Sequence, residues 1–177
     1  TRFDAAAVFL SVTTLDDSLR RNLEPRTSHP NRRLAAIEAL ARTGVPTGVL
    51  VAPVIPGLTD HELPSIIEAS AKAGARFAGY VPLRLPHGVS HLFEQWLQQH
   101  APEKKKKVLN RIRALRGGNL NDPRFGSRMK GEGIFAEQIA AMFSLACKKA
   151  GMLGRSPRLS TASFRRPSSG GQIPLFG

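Results

Sequence analysis

Apolar residues cluster along the first half of the chain in short runs separated by longer stretches of mixed polarity. AVFLSVTT (residues 7–14) is apolar and β-branched and predicts a buried strand. The charged segment that follows, with Glu24, Pro25 and Arg26, predicts a loop. HPNRRLAAIEALARTG places Leu34, Ile37 and Leu40 at helical spacing and ends at Gly44, which predicts a helix with its C-terminal stop. TGVLVAPVIPG predicts a second strand ended by prolines. HELPSIIEASAKAG predicts a second helix with Pro64 in its first turn, where a missing N–H costs little. ARFAGYVPLRLP predicts a third strand. Strand–helix–strand–helix–strand with short connections implies parallel strands joined by right-handed crossovers. The near-continuous apolar character of the strands predicts burial on both faces.

After Pro86 the period changes. VSHLFEQWLQQHA and PEKKKKVLNRIRALRGG are amphipathic, with Leu92, Phe93, Trp96 and Leu97 on one face and Val108, Leu109, Ile112 and Leu115 on another. NLNDPRFGSRMKGEG predicts a basic loop, IFAEQIAAMFSLACKKAG a last helix, and the Ser-, Pro-, Gly- and Arg-rich stretch from Gly154 a disordered tail. The chain therefore divides into an α/β region (1–86), a helical region (87–153) and a tail (154–177). The α/β region has about three parallel strands, which fits an incomplete barrel or an open sheet.

Composition adds two constraints. Among 177 residues there is one cysteine, Cys147, which excludes an internal disulfide and a metal site of clustered thiols. No uncharged run is long enough to span a bilayer and no secretory signal is visible, so the expected setting is the cytoplasm. Charge is uneven. Residues 1–100 carry ten Lys/Arg against nine Asp/Glu, and residues 101–177 carry sixteen against four. The second part is suited to attract a polyanion such as DNA. The run Lys104, Lys105, Lys106 and Lys107 and the loop residues Arg124, Arg128 and Lys130 are the candidate contacts; each set also fits an ordinary solvated surface.

In parallel α/β folds chemistry sits at the C-terminal ends of strands, here SVTT, APVIPG and PLRLP. The ordered succession SVTT, LEPRTSHPNRRLAAIEALARTG, VLVAPVIPGLTD and YVPLRLP resembles the later half of a radical S-adenosylmethionine barrel, a partial (β/α)6 fold. It is most similar to the branch related to spore photoproduct lyase, and the likeness covers roughly residues 5–153. The resemblance implies reductive cleavage of S-adenosylmethionine by a [4Fe–4S] cluster, with DNA as substrate. It places Ser11, with Thr13 beside it, at the ribose, where a hydroxyl both donates and accepts. It places Ala52 and Pro53 beside the adenine and Arg33 opposite the methionyl carboxylate. Glu24 and Arg26 are weaker candidates in the intervening loop. Without the likeness, Ser11 and Thr13 read as ordinary strand-end residues and Pro53 as a strand stop.

One departure is severe: the family's C-x-x-x-C-x-x-C cluster loop is absent, and Cys147 has no thiol neighbour. The start at Thr1, just before a strand, reads as truncation rather than degeneration, and the chain alone should be inactive. Two rivals stand beside the enzyme: a non-catalytic basic nucleic-acid module, and a cluster-free α/β-barrel enzyme. In the tail, Gln172, Leu175 and Phe176 of QIPLF resemble a peptide that docks on the bacterial sliding clamp.

Overall fold

The computed structural model describes residues 4–152 and 157–165. Strands β1 (Val8–Ser11), β2 (Thr47–Val54) and β3 (Phe77–Pro82) form one parallel sheet in the order β1-β2-β3. Helix α1 (Asp17–Leu23) and helix α2 (Pro30–Arg42) lie between β1 and β2. A short 3-10 turn (Asp60–Glu62) leads into α3 (Leu63–Lys72) ahead of β3. Then come α4 (Val89–His100), α5 (Pro102–Leu115), the one-turn α6 (Ser127–Lys130) and α7 (Ile134–Lys149). The fold is α/β, as the alternating pattern requires.

Two local differences stand out, and the first has a plain cause. The segment expected to be a loop contains α1, which forms because the Asp16 carboxylate caps it, accepting from the amides of Ser18 at 2.8 Å and Leu19 at 3.2 Å. The basic loop after α5 likewise contains α6.

The sheet is covered on one face only among the described residues, contrary to the expectation of burial on both. Leu10, Val12, Val49, Val51, Ala78 and Tyr80 share a face and join a core with Ile37 of α2, Ile66 and Ile67 of α3, and Ile139 and Cys147 of α7. Burying each such aliphatic side chain stabilises the fold by about 1.5–3 kcal/mol. On the opposite face Phe9 is 39% exposed and Ser11 is exposed. An apolar run alone does not reveal this, because the residues of both faces are apolar. Gly48 keeps that open face shallow: a Cβ there would stand 2.5 Å from Cε1 of Phe9 and 2.9 Å from the Phe77 carbonyl oxygen.

Residues on both sides of Pro86 contribute to the sheet's core, since α7 packs on α3 and Leu115 of α5 joins the same cluster. A second core fills the space between α4, α5 and the strand-end loops, with Ile55, Leu58, Leu85, Phe93, Leu97 and Ile112. In the tail, residues 157–165 are described, and the Ser160 amide donates to the Asp4 carbonyl at 2.7 Å. No helix among the described residues is long and apolar enough to cross a membrane.

Candidate functional site

Parallel strands align their carboxyl ends, so the residues that follow β1, β2 and β3 come together at one edge of the sheet. The β2–β3 register becomes irregular between Val51 and Val54, at the cis Ala52–Pro53 peptide. There the Ala52 carbonyl accepts two hydroxyls, Ser11 Oγ at 2.8 Å and Thr13 Oγ1 at 3.2 Å. Thr13 is buried and also lies 3.0 Å from Glu24 Oε1. The other Glu24 oxygen accepts from Arg33 Nη2 at 3.1 Å, closing a partly buried ion pair.

Arg33 projects from the first turn of α2, which Pro30 and the His29 cap begin. Its Nη1 donates to the Ser11 carbonyl at 2.9 Å and its Nε to the Ser28 carbonyl at 3.1 Å. Three of the five guanidinium N–H groups are thus committed within the protein, and the other two have no partner among the described residues. The structure therefore gathers Ser11, Thr13, Glu24, Arg33 and Ala52 into one network, with Pro53 adjoining. Arg26 is exposed on the loop and outside it.

Glu62 is a member of this edge that sequence reasoning missed. Its carboxylate accepts from Thr14 Oγ1 at 2.6 Å and from the Leu15 amide at 2.7 Å, tying the β1–α1 turn to the start of α3. Its position, 48 residues away in sequence from Thr14, carries no local signal.

The β3 end is organised by a second missed residue, Arg116, which is buried. It donates to four carbonyls: Leu83 at 3.0 Å, Pro82 at 3.4 Å, Arg128 at 2.8 Å and Ser127 at 3.3 Å. Burial lowers its affinity for the proton from the ordinary arginine value, while Asp122 opposes that shift. The buried Asp122 is the second hub of this loop. It receives the Arg124 guanidinium through Nε at 3.0 Å and Nη2 at 3.1 Å, and Ser127 Oγ at 2.7 Å. The Arg124 side chain, then Ser127 and the Arg124 amide, hold its carboxyl well below the usual carboxylate range.

The basic candidates are consequently not equivalent. Arg124 is occupied by Asp122 and by Glu132 at 3.1 Å. Arg128 lies with its guanidinium carbon 5.3 Å from the centroid of Phe125, a ring that is 92% exposed. Lys130 is exposed. The four lysines of α5 point different ways: Lys105 donates to Gln98 at 3.1 Å, Lys106 is exposed, and Lys104 and Lys107 line a cavity beside α7. Gln172, Leu175 and Phe176 lie outside the described residues.

The sequence has relatives of modest likeness. Uncharacterized proteins of Mycobacterium bovis and Mycobacterium tuberculosis are 35% identical to it over 111 residues, which is 62% of this chain and 32% of theirs. An uncharacterized protein of Methanocaldococcus jannaschii is 26% identical over 110 residues, 62% of this chain and 40% of that protein. The chain spans a third to two fifths of the length of these curated relatives. No family model matches the sequence. No solved structure matches it significantly.

The strand-end site tests the implied cofactors unequally. Ser11 Oγ, whose proton goes to the Ala52 carbonyl, keeps lone pairs that can accept from a ribose hydroxyl, and the two Arg33 N–H groups without a partner among the described residues suit a carboxylate. A [4Fe–4S] cluster does not fit the described residues, which contain no group of three or more His, Cys, Asp or Glu able to hold a metal. Cys147 is buried in α7, and burial pushes its thiol pKa up, the reverse of what a thiolate ligand needs.

Proposed function

We propose that this chain supplies the S-adenosylmethionine-binding strand ends of a partial radical S-adenosylmethionine barrel. The observation that carries the proposal is the convergence of Ser11, Thr13, Glu24, Arg33 and Ala52 at one carboxyl edge of a parallel sheet. In this role Ser11 meets the ribose hydroxyls, the Ala52–Pro53 segment flanks the adenine, and Arg33 orients the carboxylate while Glu24 fixes the guanidinium. The open sheet face, with Phe9, Ser11 and Gly48, is the inner wall of such a barrel. No step is assigned to the iron–sulfur cluster, because its three thiolates must come from another polypeptide segment.

The test is S-adenosylmethionine affinity and 5′-deoxyadenosine release by this chain together with a segment that supplies the three thiolates, reconstituted anaerobically with iron and sulfide. Ser11→Ala should weaken binding by about 0.5–1.5 kcal/mol, the scale of one neutral hydrogen bond. Arg33→Ala should cost more, because a carboxylate loses its charged partner. Unchanged affinity in both variants, or a protein that never forms 5′-deoxyadenosine, rejects the assignment.

A second reading, a nucleic-acid contact, is favoured by the loop after α5. There the exposed Phe125 ring lies against Arg128, whose Nε, like that of Arg84 after β3, is buried without a hydrogen-bond partner among the described residues. An aromatic ring beside a guanidinium group suits an unstacked base and its phosphate. DNA affinity should then fall steeply with salt and fall further in Phe125→Ala. Salt-insensitive binding would reject this reading.

A further inference from the structure

Helices α5 and α7 and the β2–α3 connection line a cleft of about 520 Å³, within the range of small-molecule sites. One wall is cationic. Lys104, Lys107 and Arg111 follow at spacings of three and four, so they share one face of α5. The floor is apolar, made by Leu58 and by Phe135, Ile139 and Met142 of α7. The cations differ in availability. Arg111 is engaged by Asp60 at 3.1 Å and lies over the Phe135 ring, 5.2 Å from its centroid. Among the described residues no carboxylate lies within 4.0 Å of the Lys104 or Lys107 ammonium.

Gly57 shapes this wall. It has φ +85°, and a Cβ there would stand 3.3 Å from Cδ of Arg111 and 3.5 Å from Cγ of Lys107. The absence of a side chain lets both stems close over the loop and carry their charges to the mouth of the cleft.

We propose that this cleft binds an aromatic phosphate monoester, with its ring on the Phe135–Ile139–Met142 floor and its phosphate between Lys104 and Lys107. Two ammonium groups act as point charges suited to a compact dianion. A carboxylate would be served better by a guanidinium fork, and Arg111, the guanidinium at this wall, is drawn aside by one Nη1 bond to Asp60 and by its position over the Phe135 ring. A soft thioether and an aromatic ring on the floor suit a flat apolar body. This site is separate from the strand-end network and does not depend on its assignment.

Calorimetric titration of the 177-residue chain with 1-naphthyl phosphate, 1-naphthol and inorganic phosphate tests the proposal. The ester should bind at least about tenfold more tightly than either of the other probes, since only it engages both floor and wall. The double variant Lys104→Gln/Lys107→Gln should lose about tenfold or more in affinity, while Lys106→Gln, on a different face of the same lysine run, should stay within about twofold. In NMR spectra the Met142 methyl should shift on adding the ester. Three results would overturn the proposal: naphthol binding as well as its ester, Lys106→Gln weakening binding as much as the double variant, or a Met142 signal unmoved at saturation.

Discussion

Replacing Glu24 with alanine removes the acceptor that joins Thr13 to Arg33, and the cost can be worked from the contacts. A hydrogen bond to a charged group contributes about 1.5–3 kcal/mol, and Glu24 accepts from Thr13 at 3.0 Å and from Arg33 at 3.1 Å. Thr13 keeps a second acceptor, the Ala52 carbonyl at 3.2 Å, so its share of the loss is small. Arg33 loses its one carboxylate partner among the described residues, yet the side chains of the pair are 14% and 23% exposed, which lets water replace part of the bond. The net expectation is about 2 kcal/mol, or a fall in Tm of about 4–8 °C for a chain of this size. Glu24→Gln, which retains an acceptor for Thr13 but not the ion pair, should fall between. Thermal melts of Glu24→Ala, Arg33→Ala and the double variant form a cycle with an expected coupling of about 1 kcal/mol. A coupling below about 0.3 kcal/mol would show that the two residues do not act together, and the strand-end network would lose its central pair.

Gly48→Ala should destabilise the fold by about 1–3 kcal/mol, because its Cβ would press on Phe9 and on the Phe77 carbonyl; denaturant titration should show Phe9→Ala restoring much of that loss. Asp122 contributes to acid sensitivity: its native pKa is depressed by Arg124 and Ser127, so its contribution is present above the ordinary carboxylate range. That contribution is lost as pH falls below the ordinary value of 3.8, and the stability gap between wild type and Asp122→Asn, read from urea midpoints, should narrow across that fall. A constant gap would contradict the linkage.

The sequence carried the alternation of three strands with helices because the strands are short apolar runs and α2, α3, α5 and α7 have clear helical repeats. It also marked Ser11, Thr13 and Ala52, since strand ends in a parallel sheet are placed by topology, while Glu24 and Arg33 were marked only by the family resemblance. Helix α1 escaped because seven residues offer too little period to recognise, and its capping aspartate is legible mainly in hindsight. The partners of Arg116, Asp122 and Glu62 escaped for another reason. Each is fixed by segments distant in sequence, as with Arg116 and Leu83, 33 residues apart. The lysine run shows a limit of composition: four adjacent identical residues on a helix necessarily face different ways, and only Lys104 and Lys107 reach the cleft.

Arg116 has a consequence for how this protein could change over generations. Its four acceptors are main-chain carbonyls, which every residue type supplies, so the clamp makes no demand on the side chains at 82, 83, 127 and 128. It does demand that the chain between residues 117 and 126 return to the same place. Substitutions at the exposed positions of that stretch, Phe125 among them, leave the clamp intact, whereas gaining or losing one residue would pull two carbonyls away from a buried charge. Loop length is thereby frozen while the exposed surface is free to drift, an arrangement that permits new binding preferences to arise on an old frame.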